Sequence, residues 1–286
     1  ITEKLKQVFM TQNDLFVLTS SGTGALEAAI VNTLSVGDKV LAASAGSFGD
    51  RFGDCAEAYG ADVQRLEYDW GDPIDPQGVR QALQADPSIT AVLVTHNETS
   101  TGVTHDVESI AQVVKGEFDK LFLVDAVSSL GCIPMPVDGW NCDMVGTASQ
   151  KGFMIPPGLA FISVSEAAWE AQQTSNMPKF YFDLAAAKGY LERGQTPWTP
   201  NVSALFGLRF ALRKIFEEGL ENLFERHASI AQYTRDAIKD LGLDLYATDE
   251  SRASDTVTAV KMPAGVNSGQ LMDMMRTEEN IVLAAG

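Results

Sequence analysis

One lysine is set apart by its surroundings. Lys151 closes the run Gly146-Thr147-Ala148-Ser149-Gln150-Lys151-Gly152, with Pro156, Pro157 and Gly158 shortly after it. A deprotonated lysine amine adds to carbonyls to form a Schiff base, and neighbours without bulk let a ligand approach it. A second group is Asp125, which ends the apolar run Leu121-Phe122-Leu123-Val124. A carboxylate in that position is costly to bury unless a cation or a proton meets it, although it also suits a cap for a turn at Ala126. A third is Ser20-Ser21-Gly22-Thr23-Gly24, lying between an apolar run and a helical one. Strand, glycine turn and helix N-terminus together make an anion site, because free N–H groups and the positive dipole end aim at one point. Ser21 and Thr23 add hydroxyl donors; the plain alternative is an ordinary cap with flexible glycines. A nucleotide P-loop is excluded, since no Gly-Lys-Ser/Thr follows.

Two further stretches carry ligand-type residues. Gly46-Ser47-Phe48-Gly49 reads as a turn that offers an aromatic face to a flat ring, or else as a core aromatic beneath a loop. His96-Asn97-Glu98-Thr99-Ser100-Thr101-Gly102 is a dense set of hydrogen-bonding groups just past an apolar run. The C-terminal ends of strands in an open α/β sheet are where such folds bind ligands.

The elements that must position these groups follow from periodicity and breakers. Strands are predicted over 15–19, 39–43, 62–66, 91–95, 121–124, 142–146 and 159–164, and helices over 25–34, 51–59, 76–85 and 107–114. Short apolar strands alternating with helices predict an α/β fold with a mostly parallel, doubly covered sheet. Beyond Ser165 the pattern turns helical, with long amphipathic runs at 203–218 and 220–241, and a rigid Gln195-Thr196-Pro197-Trp198-Thr199-Pro200 loop before them. Short strands are predicted at 243–246 and 257–262 and a helix at 266–278, giving a large domain over 1–220 and part of a smaller α+β one over 221–286. Ile1 lies in a helix already in progress and 281–286 reads as a strand cut short. The polypeptide is therefore expected to extend beyond both ends.

Composition narrows the function classes. The 286 residues are 45% hydrophobic and carry a net charge of −17, which disfavours binding to nucleic acid or to an anionic membrane. No apolar run approaches the roughly 20 residues of a membrane span. Cys55, Cys132 and Cys142 are odd in number and form no CxxC pair, and His96, His105 and His227 are scattered. A reducing, cytoplasmic setting without a disulfide framework or metal site is the expectation.

Taken in order, the Ser-Gly-Thr turn, the Thr/Ser cluster, Val124-Asp125-Ala126-Val127-Ser128-Ser129-Leu130-Gly131 and Ser149-Gln150-Lys151 resemble the fold-type I pyridoxal-phosphate enzymes. More narrowly they resemble class V aminotransferases of the alanine–glyoxylate and serine–glyoxylate group, over essentially the whole chain. The resemblance implies that Lys151 binds pyridoxal 5'-phosphate covalently and shuttles a proton, and that Asp125 keeps the ring nitrogen protonated. It implies Phe48 and Val127 against the two ring faces and Thr99 on the ring hydroxyl. Ser21, Gly22, Thr23 and Gln150 would hold the phosphate, together with Thr196 and Thr199 of a neighbouring subunit in a homodimer. The arginine that grips the substrate carboxylate in this group has no matching position and is expected beyond Gly286. Two rivals remain. A lyase or desulfurase is disfavoured because the last cysteine, Cys142, precedes the lysine. A non-catalytic subunit is disfavoured because it has no need of Lys151 and Asp125.

Overall fold

The computed structural model describes residues 1–285. Seven strands form the central sheet: β1 (Asp14–Leu18), β2 (Lys39–Ser44), β3 (Asp62–Glu67), β4 (Ala91–Thr95), β7 (Leu121–Asp125), β8 (Met144–Ala148) and β9 (Ala160–Val164). Their spatial order is β1-β9-β8-β7-β4-β2-β3. Every neighbouring pair is parallel except those of β9, which runs antiparallel to both β8 and β1. Two antiparallel pairings in succession leave β1 parallel to β8. Six of the seven strands therefore point the same way, in line with the expected mostly parallel sheet. The short β5 (Asn97–Glu98) and β6 (Val103–Thr104) pair separately as a hairpin just past β4.

The helices in chain order are α1 (Thr2–Phe9), α2 (Gly22–Thr33), α3 (Ser47–Ala58), α4 (Pro76–Ala85), α5 (Val107–Ala111), α6 (Glu166–Gln172), α7 (Leu184–Leu191), α8 (Val202–Glu218), α9 (Leu220–Asp240) and α10 (Ser268–Glu278). Alternation along the strands feeds two separate cores. Val92, Val94, Phe122, Val124, Val145 and Phe161 face one side with α1, α4, α5 and α8. Leu93, Leu123, Met144, Ala160 and Ile162 face the other with α2, α3, α6 and α7. A strand buried on both faces has no use for polar positions, which explains the near-continuous apolar runs. Each such valine or leucine contributes roughly 1.5–3 kcal/mol when fully buried.

Four expectations need correction. Gly46-Ser47-Phe48-Gly49 is not a turn: α3 already begins at Ser47, so Phe48 sits in the first turn of a helix. The helix at 107–114 changes to a π-helix over Gln112–Glu117, from which Lys115 reaches the buried Asp143 at 2.9 Å. The strands predicted at 243–246 and 257–262 do form an antiparallel contact, but only one bridge long, Leu245 with Val260. Two backbone bonds flank it, Tyr246 N to Ala259 O and Lys261 N to Asp244 O, both 2.8 Å. The half-exposed segments lack the apolar face that would extend the ladder. Residues 281–285 form no strand, and Gly286 lies outside the described residues.

Candidate active site

Topology alone brings the chemistry-bearing residues together. Strands β1, β2, β4, β7 and β8 are parallel, so their C-terminal ends share one edge of the sheet. Ser21 follows β1, Phe48 follows β2, Thr99 follows β4, Asp125 ends β7, and Gln150 and Lys151 follow β8. Register places Thr95 beside Asp125 and Asp125 beside Gly146, so the carboxylate stands at the middle of that edge.

Asp125 is only 3% exposed. Its Oδ1 accepts the Val127 N–H at 2.8 Å. Burial pushes its pKa up to about 7, with the negative charge of Glu98 adding to the rise. The Val127 N–H, Arg51 and Lys151 oppose that shift, which places both cations within electrostatic reach of the carboxyl. Asp125 is thus a buried carboxyl at the middle of the edge that keeps its proton to higher pH than an exposed one. Beside it, His96 is buried, with Nδ1 2.9 Å from Ser129 Oγ, and burial lowers its pKa to about 4. Asn97 ties the same edge together. Its Nδ2 donates to Ser128 Oγ at 2.9 Å and to Thr256 Oγ1 at 3.0 Å.

The glycine turn after β1 is a cradle. α2 starts at Gly22 and no side chain caps its N-terminus. A Cβ on Gly22 would lie 2.7 Å from Val127 Cγ2 and 3.3 Å from the Ala148 Cβ. The uncapped helix end therefore presses directly against Val127, two residues past Asp125, and against the end of β8. Ser21 is exposed and Thr23 half-buried. Gln150 Oε1 is buried and has no hydrogen-bond partner. The buried oxygen lacks a donor and the N-terminus of α2 lacks an acceptor, so each is left for a partner outside the chain's own hydrogen bonds.

The N-terminus of α3 is handled in the opposite way. Gly46 is its N-cap and supplies no side chain. Glu98 Oε2, fully buried, accepts from Phe48 N and Gly49 N, both at 3.0 Å, and Ser100 Oγ accepts from Ser47 N at 3.1 Å. This cap comes from some 50 residues away, and no local pattern signals it. The only trace in the sequence is a glycine where a capping side chain would stand. Phe48 is half-buried, and the Arg51 guanidinium lies 4.8 Å from the centre of its ring.

Lys151 is exposed and begins a tight turn, with Met154 N donating to its carbonyl at 2.9 Å. Gly152 behind it cannot be replaced freely, because a Cβ there would lie 2.5 Å from the Leu130 carbonyl. The two loop threonines stand apart from this group. Thr196 Oγ1 donates to Trp198 O at 2.8 Å and lines an apolar cavity of about 560 Å³ between β1, α7 and α8. Thr199 is exposed, and neither hydroxyl bonds to the Ser21–Gly24 turn of its own chain among the described residues.

The family model "Aminotransferase class-V" matches residues 1–286. The chain belongs to the class V aminotransferases. It is 46% identical to the small subunit of a soluble hydrogenase from a Synechococcus strain, over 100% of this chain and 74% of that protein. It is 40% identical to a serine–glyoxylate aminotransferase of Methylorubrum extorquens, over 99% of this chain and 73% of the relative. Among solved structures, an alanine–glyoxylate aminotransferase from Nostoc superposes with a TM-score of 0.93 at 33% identity, covering 98% of this chain and 75% of that one. Class V aminotransferases are pyridoxal-phosphate-dependent transaminases, and the fold here is fold type I. The residues at the strand ends fit that cofactor. An uncapped helix N-terminus suits a phosphate, and a buried carboxyl with a raised pKa suits a protonatable ring nitrogen. No helix among the described residues is long and apolar enough to cross a membrane.

Proposed function

We propose that the protein transfers an amino group from a small amino acid, alanine or serine, to glyoxylate or pyruvate. The observation that carries this reading is the convergence on one sheet edge of the uncapped α2 N-terminus, the proton-holding Asp125 and Lys151. The choice of substrates is supported by the serine–glyoxylate and alanine–glyoxylate relatives. Bound pyridoxal phosphate supplies a carbonyl that carries the amino group and a ring that accepts the electron pair.

The chain's own residues do the rest. Lys151 would hold the cofactor, and its amine would move the proton off Cα of the amino donor. Asp125 holds a proton at the ring nitrogen. Its Oδ1 already accepts the Val127 N–H, and that bond holds the carboxyl in place. Phe48 and Val127 cover the two ring faces, and Thr99 holds the ring hydroxyl. Ser21, Gly22, Thr23 and Gln150 bind the phosphate at the helix end.

A second copy of the chain completes the site, with Thr196 and Thr199 reaching across to the phosphate. The outer face of α8 supports a homodimer: Val202, Phe206 and Phe210, spaced one turn apart, are 54%, 67% and 56% exposed. So large an apolar stripe calls for a cover. Residues 1–220 act as the cofactor-binding unit and 221–286 as part of a second one, tied to the first where Ser254 N donates to Gly102 O.

Alanine or serine added to the cofactor-loaded protein with glyoxylate should yield glycine and the matching oxo acid. Loaded protein that turns over neither donor would refute the substrate assignment. A second reading, a subunit acting in a larger assembly, has in its favour the name of the hydrogenase relative. Loaded protein that is inactive with every amino donor would favour it.

A further inference from the structure

Glu98 is fully buried and all its hydrogen-bond neighbours are donors. Oε2 accepts from Phe48 N and Gly49 N at 3.0 Å each, and Oε1 accepts from Ser100 N at 3.1 Å and Ser100 Oγ at 2.5 Å. Ser100 Oγ in turn takes Ser47 N at 3.1 Å. The first three N–H groups of α3 are thus bound by two side chains from β5 and the turn after it. Gly46 makes room for this, since a Cβ there would lie 2.6 Å from Glu98 Cγ. An ordinary helix end needs only a local serine or aspartate. Here the cap is built from a distant carboxylate, and the residue it grips through the backbone is Phe48.

We propose that Glu98, seconded by Ser100, is the positioning residue that fixes the plane of Phe48 against the cofactor ring. It acts through the first turn of α3 and touches neither cofactor nor substrate. This rests on the reading that Phe48 covers one ring face. The carboxylate has a second consequence: an occupied α3 N-terminus cannot compete with α2 for an anion, so the phosphate has one helix end to choose. Glutamine fits the same space but brings an amide nitrogen, a donor, to face N–H or hydroxyl donors. It can keep one side of the clamp and must lose at least one N–H bond on the other, where only the Ser100 hydroxyl can turn to accept.

The test is a double-mutant cycle on the cofactor-loaded protein, read by the visible circular-dichroism band per bound cofactor and by kcat and KM separately. Glu98→Gln should bind stoichiometric cofactor, lose more than half of the band, and lower kcat about tenfold with little change in KM, the scale of one or two lost hydrogen bonds. Phe48→Leu should weaken the band as much, and the double variant should lose little more than either alone. Additive losses, or a wild-type band in Glu98→Gln, would overturn the proposal while leaving the ring-facing role of Phe48 intact. An unchanged band in Phe48→Leu would instead overturn that underlying role. Should Glu98→Gln not fold, Ser100→Ala enters the same cycle with a smaller expected loss, and additivity there overturns the proposal equally.

Discussion

Gly22 and Val127 meet so closely that no side chain fits between them: a Cβ on Gly22 would lie 2.7 Å from Val127 Cγ2. The contact joins the N-terminus of α2 to the residue whose N–H holds Asp125. Val127 is β-branched and stiff at χ1, so it cannot swing aside cheaply. Gly22→Ala gains about 0.5–1 kcal/mol of helix preference and loses about 1–3 kcal/mol to overpacking, a net loss. We expect a lower melting temperature and cofactor affinity reduced tenfold or more, measured by calorimetry and fluorescence titration. An alanine variant with unchanged affinity would show that the two residues do not bound the ring.

Asp125→Asn should still bind cofactor, because the side chain keeps its shape. Without a proton-holding carboxyl at the ring nitrogen, turnover should fall by about 10²-fold or more, the usual scale for losing a group that stabilises developing charge. Steady-state amino transfer with alanine measures it, and near-normal turnover would reduce Asp125 to a cap.

The same residue gives a pH signature in the cofactor-free protein. Its pKa rises from 3.8 to about 7 on folding, because burial disfavours the charged form. Between those values the folded state holds a proton the unfolded state has lost, so this contribution is full below about pH 4 and disappears as pH rises to about 7. At about 1.4 kcal/mol per pKa unit, the loss is up to about 4 kcal/mol. His96 and His105 act oppositely: burial lowers them to about 4 and about 3, and their contribution is lost as pH falls below 6.5. Both proteins share those histidines, so the difference between wild type and Asp125→Asn in urea unfolding isolates the aspartate. The variant should gain on the wild type from pH 4 to pH 7; a flat difference would contradict the shift.

How far the sequence alone led depends on the range of the interactions. Asp125 and Lys151 were legible because the first ends an apolar strand and the second follows one by three residues, and the alternating runs place both strand ends on one edge. Phe48 was placed correctly beside the strand end yet assigned to a turn. Two glycines flank it, and the cap that makes the segment helical comes from Glu98 and Ser100, which periodicity cannot see. The strand expected at 257–262 shrank to a bridge, because its exposed residues have no sheet to join. Strand β9 read as one more apolar run, and nothing local told that it turns antiparallel.

The dimer arrangement separates by a mixing experiment. If Thr199 acts across the interface, a heterodimer of Lys151→Ala and Thr199→Val subunits gathers both defects in one site and leaves the other intact. About half the parental activity is expected, and Thr199→Val alone should weaken cofactor binding by about 1–3 kcal/mol. Activity far below half in the purified heterodimer would mean that each loop serves its own chain.

The measurement closest to the central claim is borohydride reduction of the cofactor-loaded protein followed by peptide mass analysis. The account predicts one pyridoxyl adduct, on the peptide that contains Lys151, and none in Lys151→Ala although that variant keeps the wild-type circular dichroism in the far ultraviolet. An adduct on another lysine, or no adduct in a protein that transfers amino groups, would contradict it.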